Sequence, residues 1–439
     1  YININSFFFS DIKLVSLATT LPYIRFIFFS LFLGIALSKI KELKKIIFYS
    51  FFSAYLILLI DSCFQLISGF NLLGYPYSQR MSSLFGDELI MGSFVVRTLP
   101  VVLAISYTEK FNNKFFLQLL ILIIAGILVY FSSERTSAVY FLLILFSYLI
   151  FNLKNTKFFL SIILLFTLLF GSLYFIKKDS VDRLVTHTIS QFNNYGSGSV
   201  SSKNFLSYRH VLHYSTAIDL FNDRKLLGHG VKSFRYLCGK EKYSQLSKII
   251  EDNMIYSPID GFFFLVKVKK TEKQYIFIQS ESSFFPNVVP NVSSFKTKNK
   301  SIFFLKNIQG HVVTVKKKHG DRIKKGDPLI AMYGYTNGCN THPHNLHLQF
   351  LAELGLIGYT FILFAFLFLV HKMFLIIISY CKSNKTNNHD AAAFFILLGL
   401  FSSLFPFFPS GNFFGNWLSA VFFLKVSFLI NIMKSKIYK

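Results

Sequence analysis

The sequence contains few cysteines and few acidic residues, and it does not begin with methionine. Four cysteines in 439 residues are too few for a scaffold built on disulfides. The 21 acidic residues are outnumbered by 46 basic residues, which gives a formal net charge of +25. Because the first residue is tyrosine and no signal peptide is visible, we expect the natural chain to begin further upstream.

Apolar residues are abundant instead. The chain has 56 phenylalanines and a mean hydropathy of +0.48, with several apolar runs of about 18 or more residues. Much of the lysine excess lies in short loops between these runs, and the rest lies in one long polar region. This distribution argues against a nucleic-acid partner. It favours contact with membrane lipids or with a pyrophosphate-linked substrate.

We predict an all-α polytopic membrane protein with nine visible membrane helices and about twelve in the intact protein. The predicted helices span 22–38, 46–66, 88–107, 115–131, 136–152, 158–176, 349–371, 391–408 and 414–433. Lysine-rich loops at 39–45, 108–114, 152–157 and 381–385 are expected in the cytoplasm. The domains are then 1–176 (membrane helices), 177–348 (a large periplasmic loop) and 349–439 (membrane helices).

A β-rich insert is predicted within the large loop, at residues 256–335. Its segment 308–334 resembles the hairpin of biotinyl/lipoyl barrel-sandwich domains, which implies a small β barrel-sandwich-like fold opened by a strand at 256–261. The residues that fit the pattern are Gly310, Val312, Val315, Gly320, Asp321, Ile323, Gly326, Asp327 and Leu329. The Met-Lys-Met hairpin is absent, so no prosthetic group is expected, and we interpret the insert as a structural or docking element.

The stretch GCNTHPHNLHLQFLAELGLIG (338–358) concentrates three histidines before an apolar run. Its spacing fits neither paired CxxC motifs nor HExxH, so a zinc site is disfavoured and no metal is predicted. A polar helix cap is one interpretation. An acid/base histidine at the mouth of a membrane helix is the other, because imidazole needs little perturbation to act as a base near neutral pH.

This stretch resembles the signature of the bacterial O-antigen ligase/polymerase family, H-N-x-x-L-Q-x-x-x-E-x-G-x-x-G. The matching residues are His344, Asn345, Leu348, Gln349, Glu353, Gly355 and Gly358. The resemblance implies that His344 is catalytic and that Asn345 and Glu353 support substrate binding. His347 departs from the family pattern, which often has tyrosine there.

Two arginines fit the positions at which the resembled family uses arginine with this histidine. Arg135 lies in SSERTSAV, and Arg209 opens RHVLHYSTAIDLF ahead of the turn LLGHGVKSF. Guanidinium groups bind phosphate oxygens in a bidentate manner, so both are predicted to be catalytic. The alternatives are an interfacial arginine for Arg135 and an ordinary surface charge for Arg209.

FGDELIMGSFVVR (85–97) resembles a run found in some family members, so Asp87 and Arg97 are predicted to contact substrate. A buried arginine needs a partner or an aqueous cavity, and an ion pair between Arg97 and Asp61 is the alternative. Cys238 and Cys339 flank the insert on the outer, oxidising side, where a disulfide is expected. Unpaired thiols or a metal site are the alternatives.

The resemblance implies an inverting, metal-independent membrane glycosyltransferase in the bacterial inner membrane, with its site facing the periplasm and no cofactor. Its donor would be a glycan on undecaprenyl pyrophosphate, and its acceptor would be lipid A–core in a ligase or another lipid-linked repeat in a polymerase. We favour the ligase. A transporter or flippase for a lipid-linked solute and a non-enzymatic scaffold remain as alternatives.

Overall fold

The computed structural model describes most of the chain in two compact units. It describes residues 1–439 except 78–79, 87, 153–155, 187, 190–207, 241, 244–246, 258–259, 268–273, 281–301, 306–311, 316, 337–338, 384–386 and 438–439. The first unit consists of Tyr1–Tyr243 with Asn340–Lys439, and the second of Ser244–Cys339.

The first unit is helical. Its α-helices, in chain order, are α1 (Ile2–Phe8), α2 (Lys13–Lys39), α3 (Leu43–Ser68), α4 (Met91–Thr108), α5 (Lys114–Ser132), α6 (Arg135–Phe151), α7 (Thr156–Ile176), α8 (Lys178–Val181), α9 (Tyr208–Asp223), α10 (Phe234–Leu237), α11 (Leu346–Ser383), α12 (Asn388–Leu404) and α13 (Asn416–Ile437). A 3-10 turn at Ser83–Phe85 and a π-helical turn at Asp182–Thr186 complete it.

The predicted multi-pass helical architecture is confirmed. Helices α2 to α5, α11 and α13 are long and apolar enough to cross a membrane, and α6, α7 and α12 are shorter apolar helices. Each overlaps one predicted helix. Helix α2 begins nine residues before the predicted start, because Ser16 and Thr20 lower the hydropathy of this segment without preventing a helix; both are buried against other parts of the bundle.

Helices α4 and α12 form the centre of the bundle. Nearly every residue of α4 is buried, and so are residues 391–400 of α12. Helices that are apolar on all sides belong inside a helical assembly. The outer helices instead expose apolar side chains, such as Phe32, Ile60 and Phe364, as expected of surfaces that face lipid.

The loops gather at the two ends of the bundle. At one end, Met81 N donates to the Phe131 carbonyl (3.3 Å), and Lys177 Nζ also donates to it (2.8 Å). At the other end, Lys44 pairs with Glu109 (3.7 Å). These are the two sets of loops that the lysine pattern assigns to opposite faces, and the orientation in a membrane stays a prediction.

The second unit contains two small antiparallel sheets. Its strands are β1 (Ser247–Tyr256), β2 (Gly261–Lys267), β3 (Gln274–Ser280), β4 (Ile302–Leu305), β5 (Val312–Val315), β6 (Arg322–Ile323) and β7 (Pro328–Thr336). One sheet has the order β1-β7-β5 and the other β4-β3-β2-β6. In the described part of this unit the strands form no closed barrel, so the barrel-sandwich expectation is met only in its strand content.

One strand prediction in the insert is wrong. The predicted opening strand at 256–261 is not continuous, since Tyr256 ends β1, Ser257 and Asp260 belong to no strand, and Gly261 begins β2. Ser257 leaves the ladder to bond Asp327 and Gly326 through its backbone (2.9 and 2.8 Å). The resembled glycines at 320 and 326 both adopt positive φ (91° and 89°), as tight turns require. Gly310 lies outside the described residues.

Candidate functional site

A cavity of about 810 Å³ lies at the end of the bundle where the segments around Met81, Phe131 and Lys177 meet. Its described lining includes five arginines: Arg80, Arg97, Arg135, Arg183 and Arg235. Glu134 is the single carboxylate among the described lining residues, and it pairs with Arg80 at 2.9 Å. The cavity therefore carries a strong net positive charge and suits a polyanionic ligand.

Two of these arginines have buried donors that the protein leaves unused. The Nε atoms of Arg183 and Arg235 are buried and have no hydrogen-bond partner among the described residues. Desolvation lowers the pKa of Arg183, and the neighbouring Arg80 and Arg135 guanidinium groups lower it further. Buried donors without partners are unfavourable, so an anion that accepted their hydrogen bonds would bind with a gain in stability.

Arg135 is presented to the cavity by a braced turn between α5 and α6. Ser133 adopts a left-handed conformation (φ 52°) that reverses the chain just before Arg135 begins α6. The Ser133 hydroxyl contacts that of Ser180 (2.8 Å), and Lys177 Nζ donates to Ser133 Oγ (3.2 Å). Glu134 accepts from Ser137 (2.6 Å) in addition to Arg80. These contacts fix the direction in which Arg135 leaves the backbone.

Burial also shifts the pKa values of two side chains that support this turn, Lys177 and Glu134. The Lys177 side chain is buried, and desolvation lowers its pKa to about 8. Desolvation raises the pKa of Glu134, while its hydrogen bond from Ser137 and the Arg80 charge act in the opposite direction. The ion pair with Arg80 thus stabilises the carboxylate against burial.

Arg97 extends the positive charge into the bundle. It lies inside α4, is 8% exposed and donates from Nε to Ser93 Oγ (3.1 Å). The alternative ion pair with Asp61 is wrong, because Asp61 accepts from the Leu72 backbone N–H (2.8 Å) and the Ser83 hydroxyl (2.7 Å). Arg97 instead lines the cavity, and access to an aqueous cavity is the other condition that makes a buried arginine tolerable.

Four histidines cluster beside the cavity. The ring centroid of His344 lies 4.2 Å from that of His342, 5.3 Å from that of His213 and 5.6 Å from that of His210. His342 and His210 line the cavity, and His344 is not among its described lining residues. No group of three or more side chains that could hold a metal ion occurs among the described residues.

Burial keeps three of these imidazoles, those of His344, His342 and His210, neutral. Burial lowers the pKa of His344 to about 3, and the neighbouring His342, His213 and His210 add to this effect. Burial likewise lowers the pKa of His342 to about 4 and lowers that of His210. A neutral imidazole has a lone pair that can accept a proton, so His344 has the protonation state from which a general base acts.

The three histidines of the opening stretch differ in their hydrogen bonds. His342 lies 3.2 Å from the Ser410 carbonyl through Nε2 and 2.9 Å from Thr341 Oγ1 through Nδ1, so both ring nitrogens are occupied. The same is true of His347, which contacts the Leu404 carbonyl (2.7 Å) and Tyr359 Oη (3.1 Å). His344 contacts the exposed Asn340 amide through Nε2 (2.9 Å).

Asn345 has a visible structural role. Its Oδ1 accepts from the Leu348 backbone N–H (3.1 Å), which caps the start of α11, and its Nδ2 donates to the Pro406 carbonyl (2.7 Å). The cap turns the chain so that His344, with φ 56°, precedes the helix directly. Asn345 follows His344 directly in the chain, whereas the described cavity lining does not include Asn345.

Glu353 is connected to the cavity through other side chains. It is fully buried and accepts from Gln349 Nε2 (3.2 Å), which also donates to Asn412 Oδ1 (2.8 Å). Asn412 lines the cavity. Asp87 lies outside the described residues. Arg209 lies in the first turn of α9, but its side chain also lies outside what the structure describes.

The turn LLGHG packs directly on the backbone of α11. Helix α11 is interrupted at Gly355 (φ 65°, ψ −170°), and Leu356 N donates to the Lys225 carbonyl (2.8 Å) there. Gly230 N donates to the Glu353 carbonyl (2.7 Å). A Cβ at Gly228 would lie 2.6 Å from Glu353, Leu354 and Gly355 backbone atoms, so only glycine permits this approach.

The described cysteines fall into two groups. Cys63 and Cys381 have free thiols. Cys238 is buried, and its Sγ lies 3.9 Å from the carbonyl oxygen of Asn340, the residue that follows Cys339. This position is compatible with the predicted pairing of Cys238 and Cys339, which stays a prediction.

Sequence reasoning missed three of the cavity arginines, Arg80, Arg183 and Arg235, and the only tryptophan, Trp417, which also lines the cavity. A signal was present. The chain has nine arginines among its 46 basic residues, and five of the nine line this one cavity. Lysine is used almost everywhere else, so the choice of arginine itself marked residues with a need for a planar, multidentate donor.

The long apolar helices define a multi-pass helical membrane protein, and the cationic cavity suits an anionic ligand. Residues 120–259 match the family model described as O-Antigen ligase, which confirms the family resemblance of the sequence. The segment 120–259 is thus similar to O-antigen ligase domains. The match includes Arg135, Arg183, Arg209 and Arg235, whereas His344 lies beyond it. Neither a curated protein nor a solved structure matches the chain.

Proposed function

We propose that the protein is an O-antigen ligase that transfers a glycan from undecaprenyl pyrophosphate to lipid A–core at the periplasmic face of the inner membrane. The observation that carries this proposal is the cavity lined by five arginines with one neutralised carboxylate. A pyrophosphate diester supplies the acceptor oxygens that such a cavity needs. Guanidinium groups are the side chains best suited to bind it.

A lipid-linked donor is further supported by the apolar side of the same cavity. Val139 of α6 lines the cavity and is 44% exposed on the bundle surface. Leu142 and Phe146, at helical spacings of three and seven residues from Val139, are 57% and 62% exposed. They continue the same face of α6. An isoprenoid chain attached to a pyrophosphate in the cavity would leave along this face into the bilayer.

In the proposed reaction, the acceptor hydroxyl attacks the anomeric carbon of the donor sugar with inversion. The new glycosidic C–O bond forms as the bond from the anomeric carbon to the pyrophosphate oxygen breaks. His344 Nε2 takes the hydroxyl proton, after the substrate hydroxyl replaces the exposed Asn340 amide that now contacts this nitrogen. Arg135 and Arg209 stabilise the leaving undecaprenyl pyrophosphate, so positioning and electrostatics carry the step without a metal ion.

The remaining site residues have supporting roles in this proposal. Arg97 and Asp87 contact the donor, Asn345 orients His344 through the helix cap, and Glu353 acts through Gln349 on Asn412 at the cavity. Because both ring nitrogens of His342 are occupied, His342 serves as a neighbour of the base. Burial, and to a lesser extent the His342 ring 4.2 Å away, keeps the pKa of His344 low until an anionic substrate binds.

The test separates donor binding from transfer. Purified His344→Gln protein should bind the lipid-linked donor normally and lose glycan transfer, whereas Arg135→Ala should lose donor affinity by about tenfold to a hundredfold, the range of a charged hydrogen bond. His371→Gln, which alters an exposed histidine of α11, is the matched control. Transfer retained by His344→Gln would contradict the assignment of the base.

The acceptor distinguishes a ligase from a polymerase. A strain that lacks the protein should show core-only lipid A and accumulate lipid-linked polymer if the protein is a ligase. Core carrying a single repeat unit would identify a polymerase instead, and the banding of lipopolysaccharide on a gel distinguishes the two outcomes.

A further inference from the structure

A second groove, of about 780 Å³, lies away from the arginine cavity, between the α1–α2 connection and the loop after α9. Its floor is a fixed polar network. Asp11 pairs with Arg224 (2.8 Å) and with His229 (2.6 Å), and Arg224 also donates to the Phe9 carbonyl (2.9 Å). His229 in turn contacts the Leu220 carbonyl (3.0 Å). These side chains bond to one another and to backbone carbonyls, so their hydrogen bonds stabilise the shape of the groove.

The charges that remain for a ligand in this groove are positive. Its two described carboxylates are engaged, Asp11 as above and Asp223 with Lys242 and the Tyr243 hydroxyl. The exposed Lys13 and Lys225 also line the groove and take part in none of the ion pairs found among the described residues. Two lysines without a carboxylate partner attract phosphate at a membrane surface.

The groove also has exposed apolar side chains in its lining. Phe8 and Leu226 line it and are 62% and 64% exposed. Helix α1 lies against α11 at its break, where Tyr1 Oη donates to the Leu354 carbonyl (2.7 Å) and the Tyr1 ring packs on Phe361. Phe361 and Phe364 then continue the exposed apolar face of α11 into the membrane span. The groove thus combines exposed apolar side chains with two exposed lysines, as a site for a phosphorylated lipid requires.

Helix α9 connects this groove to the histidine cluster. His210, near its first turn, belongs to the cluster, and Asn222, near its last turn, lines the groove. Twelve residues separate them, which corresponds to about 18 Å along the helix. A ligand whose phosphate sits in the groove can therefore present a group at the histidines only if that group is remote from the phosphate, as a sugar at the end of an oligosaccharide is.

We infer that the groove of Lys13, Lys225, Phe8 and Leu226 binds the phosphorylated lipid end of the glycolipid acceptor, while its distal sugar reaches the His344 cluster. This inference rests on the proposed ligase function, in which the acceptor is a lipid-anchored, phosphate-bearing oligosaccharide. It assigns donor and acceptor to opposite ends of α9. The loop of the groove also bonds to α11 at Leu356 and Ile357, so the acceptor groove contacts the helix that follows His344.

The experiment measures lipid binding to the full-length protein in detergent by native mass spectrometry. The probes are bisphosphorylated lipid A, the same lipid after removal of its phosphates, and phosphatidylglycerol. The wild-type protein should prefer bisphosphorylated lipid A over both others. The Lys13→Gln/Lys225→Gln variant should lose about tenfold to thirtyfold of this affinity, since two basic side chains near the surface contribute about this much.

The matched control is Lys39→Gln/Lys41→Gln, which removes two exposed lysines at the opposite end of α2 and should bind lipid A as the wild type does. Equal binding of dephosphorylated lipid A, or equal lysine-dependent binding of phosphatidylglycerol, would overturn the assignment to the acceptor. Unchanged lipid A binding by the groove variant would overturn it as well.

Failure of this inference can be told apart from failure of the proposed function. Arg135→Ala should lose lipid-linked donor and keep lipid A, whereas the groove variant should keep the donor and lose lipid A. If Arg135→Ala behaves as expected but the groove variant keeps lipid A, the donor site is supported and the assignment of the groove is contradicted. If Arg135→Ala keeps the donor, the proposed function itself fails.

Discussion

The Arg80 guanidinium lies 2.9 Å from a carboxylate oxygen of Glu134, and it also donates to the Leu89 carbonyl at 2.5 Å. This pair neutralises the only carboxylate among the described residues that line the cavity, and it ties the turn before Arg135 to the start of α4. Arg80 is therefore a positioning residue. Its positive charge is compensated by Glu134, and the other four arginines of the cavity remain available to bind the donor.

We predict that Arg80→Gln weakens donor binding by about tenfold or more, because an unpaired Glu134 carboxylate would repel the pyrophosphate. The double variant Arg80→Gln/Glu134→Gln should recover most of the lost affinity, since it removes the repulsion along with the pair. Donor titration of the purified variants measures both effects. If the double variant binds as poorly as the single one, Arg80 contacts the donor itself.

The apolar face of α6 gives a prediction about the donor chain. Leu142→Trp should obstruct the path that continues from Val139, so the KM for a long polyprenyl donor should rise severalfold while that for a short-chain analogue stays constant. Loss of two methylene contacts at about 0.8 kcal/mol each accounts for a change of about tenfold. Ile60→Trp, on an exposed face of α3, is the control. An equal effect on both donors would place the chain elsewhere.

The close approach of the backbone at Gly228 to the backbone of α11 at Gly355 predicts that a side chain at position 228 lowers stability strongly. Gly228→Ala places a Cβ 2.6 Å from three backbone atoms of α11 at a φ of 68°, and backbone cannot move aside as a side chain can. We expect a loss of about 2 kcal/mol or more. Gly69→Ala is the matched control, because Gly69 also has positive φ (82°) but nothing lies within 4 Å of its Cβ position. Thermal unfolding in detergent should separate the two variants, and equal losses would show that steric contact is unimportant here.

The architecture of the bundle was predictable from the sequence, and the site only in part. Apolar runs and lysine-rich loops locate membrane helices, because both reflect the local environment of each segment. Arg135 and His344 were accessible because each lies in a recognisable local motif. Arg80, Arg183 and Arg235 meet only through tertiary packing of segments far apart in the chain, so no local pattern joins them. The occupied nitrogens of His342 and His347, which set them apart from His344, depend on carbonyls near residues 404–410 and were equally out of reach.

The predicted disulfide between Cys238 and Cys339 can be tested directly by peptide mapping. If they pair, a digest without reductant should contain one peptide that joins both cysteines, and a reductant should release it. The loop they close has about a hundred residues, for which chain-entropy arguments give about 4–5 kcal/mol of stabilisation. Cys63 and Cys381 should react with an alkylating reagent in the same sample. Alkylation of Cys238 or Cys339 in the unreduced, unfolded protein would contradict the pairing.

The histidine cluster predicts how stability depends on pH. Histidines in the unfolded chain take up protons near pH 6.5, whereas the folded-state pKa values of His342 and His344 are about 4 and 3. Between these values the unfolded state binds more protons, so the free energy of unfolding should fall as the pH decreases from 7 towards 4. His344→Gln removes one such group, and its melting temperature should therefore drop less between pH 7.5 and pH 5 than that of the wild type. If His344→Gln retains the full pH dependence, the imidazole of His344 is accessible to protons in the folded protein, and the packing of the four rings does not hold it neutral.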